Sequence, residues 1–138
     1  MSEHLLKTEN FRLSISLKFF ENDINSSSNT IMTVSVTTDG FSAKADMDID
    51  IKEFAEFANE LSVIYESLSG TATIKEPYGH QKFITFSADK TGYITVKGFL
   101  CDDLKNNELR FENNFDQTYL KPFFRELCTS YSKYTSNK

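Results

Sequence analysis

The pattern of apolar and polar positions becomes readable at Phe11. Phe11, Leu13, Ile15, Leu17 and Phe19 alternate with Arg12, Ser14, Ser16 and Lys18, and a period of two with one apolar face predicts a half-buried strand. The polar stretch Glu21 to Asn29, with three serines in a row, predicts a loop. Thr30 to Thr38 is rich in β-branched residues and predicts a second strand with Met32, Val34 and Val36 inward. Asp39-Gly40 then predicts a two-residue hairpin, because both central residues of a type I′ turn need positive φ. Phe41 to Ile49 alternates again: Phe41, Ala43, Ala45, Met47 and Ile49 face in, and Ser42, Lys44, Asp46 and Asp48 face out.

At Asp50 the period changes. Phe54, Ala55, Ala58, Leu61, Tyr65 and Leu68 recur at helical spacing, Asp50 and Glu53 stand at the positions of a capping box, and Gly70 holds the usual post-helix place. Four strands are expected next: Thr71 to Lys75, Gln81 to Ser87, Tyr93 to Leu100 and Glu108 to Phe115. Turns at Pro77 to His80 and Asp89 to Gly92, and a polar loop at Asp102 to Asn107, separate them. A second amphipathic helix runs from about Asp116 to Tyr131 on Leu120, Phe123, Phe124, Leu127, Cys128 and Tyr131. Pro122 is tolerable only near a helix start, which argues for a true N-terminus a few residues after Asp116.

The order is βββ-α-ββββ-α. It predicts an α+β fold: a largely antiparallel sheet of about seven strands, with two helices packed on one face. Met1 to Lys7 shows no apolar run, so His4 is expected in a mobile N-terminus, and Ser132 to Lys138 is expected to fray. No repeat or linker divides the chain, so residues 1–138 are read as a single domain with an ordered core over about 10–131.

Composition narrows the reading. A chain of 138 residues can bury roughly 68% of its unfolded surface without a metal or disulfide. With 13 Phe and no Trp, Phe and Leu must supply the large core side chains. Neither a signal peptide nor a membrane span is expected. Cys101 and Cys128 are too few and too far apart for a disulfide scaffold, so they read as reduced thiols of a cytoplasmic protein. The net charge of −5 argues against nucleic acid and anionic membrane as partners.

No catalytic or cofactor-binding constellation emerges. His4 and His80 have no Cys or His at ligand spacing, so no metal site is expected. Cys128 lies on an apolar helix stripe, where an inert thiol is usual. The glycines stand singly, with no phosphate loop, and Asp102-Asp103 is an adjacent pair in a polar loop that ordinarily faces water. The absence of a constellation predicts a non-enzymatic binding protein without cofactors.

Acid is concentrated in one stretch. Asp39 to Glu60 holds seven acids against two lysines, and the rest of the chain is neutral. Asp50 and Glu53 have a structural reason near a helix N-terminus. Glu56 and Glu60 do not: like charges four apart on a helix cost on the order of 0.2–0.5 kcal/mol. Asp46, Asp48, Glu53, Glu56 and Glu60 are therefore the candidate partner-binding residues. They can act together only around the rim where the third strand meets the first helix.

Several segments in this order resemble the WapI-type immunity proteins, small bacterial proteins encoded beside secreted wall-associated toxins. They are Phe41 to Ile49 running into the helix Ile51 to Leu68, then Gly70-Thr71-Ala72, Gly92-Tyr93-Ile94-Thr95-Val96-Lys97-Gly98, Glu108-Leu109-Arg110-Phe111-Glu112 and Asp116-Gln117-Thr118-Tyr119-Leu120. The similarity spans roughly Phe11 to Leu127. The Asp116 to Leu120 segment reads as a fold signature, with Asp116 as a cap and Tyr119 and Leu120 packing on the sheet. The resemblance implies a stoichiometric inhibitor of a toxin domain, often a nuclease, whose basic groove an acidic surface would engage quickly and in a salt-sensitive way. The alternative from another class is a small-molecule-binding or homodimeric module using an open polar sheet face with Thr33, Ser35, Thr37, Thr85, Tyr93, Thr95 and Lys97.

Overall fold

The computed structural model describes residues 3–135. Alternation produces strands where expected at β2 (Phe11–Phe19), β3 (Thr30–Thr38) and β4 (Phe41–Ile49); an unexpected strand, β1 (Glu3–Lys7), precedes them and α1 (Ile51–Ser67) follows. Then β5 (Thr71–Lys75), β6 (Phe83–Ala88), β7 (Tyr93–Cys101) and β8 (Glu108–Asp116) lead into α2 (Leu120–Tyr131). The same order, four strands and a helix, thus occurs twice, a repeat of architecture that no sequence repeat announces.

The predicted single sheet is replaced by two. β1-β2-β3-β4 and β5-β6-β7-β8 are separate antiparallel meanders of four strands each. Alternation reveals that each strand has one apolar face but not which strands share it. Here the inner faces of both sheets and the buried sides of both helices meet in one hydrophobic core, so the helices do not simply cover one face of one sheet. Phenylalanines link the layers: Phe54–Phe57, Phe57–Phe86 and Phe86–Phe123 have ring centroids 5.8, 6.0 and 6.2 Å apart, joining α1, β6 and α2.

Over the described residues the N-terminus, expected to be mobile, forms a paired strand. β1 pairs with β2 along Glu3 to Lys7 and buries His4 and Leu6. His4 hydrogen-bonds Glu126 Oε1 through Nδ1 and the Tyr131 hydroxyl through Nε2, both at 2.8 Å, pinning β1 to α2. The alternation was hidden because its buried members are one polar ring and one leucine. At the other end, where the sequence predicts fraying, Ser132–Tyr134 forms a 3-10 turn, and Tyr134 packs edge-on against Phe19 at 5.1 Å. The remaining tail, residues 136–138, lies outside the described residues.

Capping decides the helix starts. Asp50 accepts from the Lys52 amide at 2.9 Å, as an N-cap should. The expected reciprocal bond from Glu53 is absent among the described residues; instead buried Asn29 Oδ1 accepts from the Ile51 amide at 2.8 Å, and Asn29 Nδ2 donates to Asp50 Oδ1. Asp116 caps a 3-10 turn at Gln117–Tyr119, and α2 proper starts at Leu120, with Pro122 in its first turn. The left-handed residue that closes α1 is Leu68 (φ 54°), and Gly70 (φ 93°) turns the chain into β5.

Candidate partner-binding surface

The Asp39-Gly40 turn has φ of 47° and 87°, as type I′ requires, and Thr38 and Phe41 close it as a register pair. A two-residue hairpin closes on a hydrogen-bonded pair, so Ala43, Ala45, Met47 and Ile49 bond to β3, while Ser42, Lys44, Asp46 and Asp48 direct their amides away from it. The Asp48 amide confirms the parity, because it donates to Glu76 Oε2 at 3.3 Å. β4 is an edge strand of the first sheet. The outward amides of Ser42, Lys44 and Asp46 find no partner among the described residues.

Glu76 and Lys82 stand at the two ends of the β5–β6 connection, and both are buried. Lys82 Nζ lies 3.5 Å from Glu76 Oε2, and the Lys82 amide donates to Glu76 Oε1 at 3.2 Å. With the bond from Asp48, this carboxylate clasps the two sheets where the end of β4 meets the second one. Neighbouring Cys101 is buried, and burial pushes its thiol pKa up. Cys128 is also raised by burial and donates to the Ala58 carbonyl at 3.4 Å. Both cysteines are free thiols.

Between this clasp and the hairpin tip, β4 stands off from β7 and β8. A gap of about 310 Å³ opens there, floored by Ala43, Leu100, Cys101 and Leu109. It continues towards Asp46 and Asp103 at one end and towards Asp39 and Glu112 at the other. Phe41, expected inward, is instead 65% exposed at the gap. Its side of β4 does face the core, but full burial along this strand stops at Met47, and Ala43 and Ala45 are only partly buried against the core.

The five predicted acids stand on two elements, β4 and α1. Asp46 is exposed beside the gap and accepts from the Thr33 hydroxyl at 2.7 Å. Asp48 is exposed near the clasp, and Glu53 is exposed in the first turn of α1. Glu56 and Glu60 do come together: burial raises the Glu60 pKa above its ordinary value, the Thr73 backbone opposes that, and the Glu56 charge adds to it. That places the pair where α1 lies along β5. Asp102, read as one of two adjacent acids facing water, turns back on its own loop. It accepts from the Asn106 amide and the Asn107 side chain, which, led by the Asn107 bond, lower its pKa. The Asp103 carbonyl is held by His80 at 2.9 Å.

The polar sheet face of the alternative reading is divided. Thr33, Ser35 and Thr37 belong to β3 of the first sheet, and Thr85, Tyr93, Thr95 and Lys97 to the second. Several of these hydroxyls are engaged across strands, as Thr73–Thr85 at 2.8 Å and Thr95–Asn114 at 2.7 Å show. Among the described residues, no three His, Cys, Asp or Glu side chains converge as a metal site, and no helix is long and apolar enough to cross a membrane.

The model of the WapI-like immunity protein family matches residues 4–135, from the buried histidine of β1 to the end of the C-terminal turn. The chain belongs to the WapI-like immunity protein family. This places it among immunity proteins as a class, as the order of its segments led us to expect. No curated protein matches it by sequence. Among solved structures, that of the plant transcriptional regulator PBF-2 is similar at a TM-score of 0.51 and 7% identity, over 91% of this chain and 78% of that one. At that identity the likeness concerns the fold alone.

Proposed function

We propose that this chain is a non-enzymatic immunity protein that binds a cognate secreted bacterial toxin domain and neutralises it in the cytoplasm of the producing bacterium. Membership of the family over nearly the whole chain carries this reading. The toxin is proposed to be a nuclease, since a nuclease presents a basic substrate groove and this chain gathers its net negative charge between Asp39 and Glu60. Asp46, Asp48, Glu53, Glu56 and Glu60 would then steer association, an effect that is strong at low salt and screened at high salt.

The test is co-expression with the C-terminal toxin domain encoded beside this gene. Survival of the cells, together with a co-purifying one-to-one complex, is the expected result. Continued killing, with no complex at micromolar concentrations, would refute the reading.

A further inference from the structure

We propose that the β4 edge is the docking site, and that it receives an extended, basic segment of the toxin domain as an added strand. The inference rests on the immunity reading and names the surface that reading leaves open.

Three observations converge on this edge. The outward amides of Ser42, Lys44 and Asp46 face a gap rather than another strand. An unpaired edge is a template for a further strand, and proteins normally cover or blunt it. Of the other edges, β1 is packed by α2 and β5 by α1, while β8 lines the same gap with Glu108 and Leu109. The gap also has an apolar floor, with Phe41 exposed beside Leu109. Backbone pairing supplies affinity in strand addition, and alternate side chains entering pockets supply selectivity.

Charge selects the occupant. Asp39, Asp46, Asp102, Asp103, Glu108 and Glu112 border the gap, against Lys44 and Arg110. The Arg110 guanidinium already stacks over Phe99 at 4.3 Å and lies 3.9 Å from Glu108. A strand bearing lysine or arginine fits this border. A second copy of β4 would bring its own acids to the same border, which disfavours self-pairing.

The experiment compares amide hydrogen exchange in the free full-length protein and in its complex with the neighbouring toxin domain. Ser42, Lys44 and Asp46 are expected to slow at least tenfold on binding, while Ala43 and Ala45, already bonded to β3, change little. Lys44→Pro complements this by removing one outward N–H without touching the β3 ladder, as proline is tolerated on an edge. It should weaken the complex at least tenfold with the thermal midpoint nearly unchanged. A complex that forms with these three amides unprotected overturns the docking site and leaves the immunity reading standing. Failure of the wild-type chain to form any complex refutes that reading and the inference with it. Concentration-dependent protection in the free protein assigns the edge to a second copy and overturns the inference.

Discussion

Glu3 to Ser67 and Thr71 to Tyr131 pass through the same elements, but the joint between sheet and helix differs. In the first half the helix leaves β4 directly, and its start is locked by the buried Asn29, which ties Ile51, Asp50 and the β2–β3 loop carbonyls of Ile24 and Ser26 together. In the second half an exposed 3-10 turn intervenes, capped by Asp116 and tied by the Gln117 amide to the Gly92 carbonyl. The first helix is also longer and contributes Ile51, Phe54, Phe57 and Leu61 to the core, whereas the second depends on β1, through His4, to fix its far end. One architecture can therefore be held by a buried polar network in one copy and by surface capping in the other, and the two should respond differently to mutation.

The widest separation is expected in the core. Phe54→Ala empties a fully buried site touching Phe57 and Tyr131 and should cost about 3–5 kcal/mol. Phe124→Ala on α2, where the ring is slightly exposed, should fall at the low end of that range. Urea unfolding of both variants measures the difference, and a larger cost at Phe124 would reverse the ranking of the halves. The joints come next. Asn29→Ala leaves a buried amide and carbonyls unpaired and should cost about 2 kcal/mol or more. Asp116→Ala, at an exposed cap, should cost about 1 kcal/mol. Equal effects would mean that the Asn29 network adds nothing beyond a cap.

The smallest effect concerns Glu60. Its pKa is raised in the folded chain, so the native state holds a proton more readily than the unfolded one. Stability on this account falls as pH rises from the ordinary value of 4.5 through the folded value. Glu60→Gln should therefore raise the thermal midpoint slightly at pH 7, the effect being small because solvent screens this exposed group, and lose that advantage near pH 4. An unchanged difference between the two pH values would refute it.

The sequence displayed local order more fully than assembly. β2, β3, β4 and α1 were legible because period two, the Asp-Gly turn and the helical spacing after Asp50 are properties of neighbouring residues. The split into two sheets was not, since strands with one apolar face look alike whether they share a sheet or face each other across a core. β1 escaped because His4 is polar by composition yet buried through two long-range partners on α2. The candidate acids were visible as a charge count, but only the fold shows that Glu56 and Glu60 pair beside β5 while Asp46 borders the gap. Alternation alone points Phe41 inward, and its exposure depends on how far the second sheet reaches, which no local pattern encodes.

The Glu76 clasp also works as a ruler. It occupies the Asp48 amide at one end, the Asp39-Gly40 turn ends the strand at the other, and only Phe41 to Met47 lies between them. At roughly 3.4 Å per residue that free length is about 20 Å, the span of one ordinary strand. A guest longer than this must bend away from β4 at the clasp, so the molecule limits not only what can pair along its open edge but how much of it.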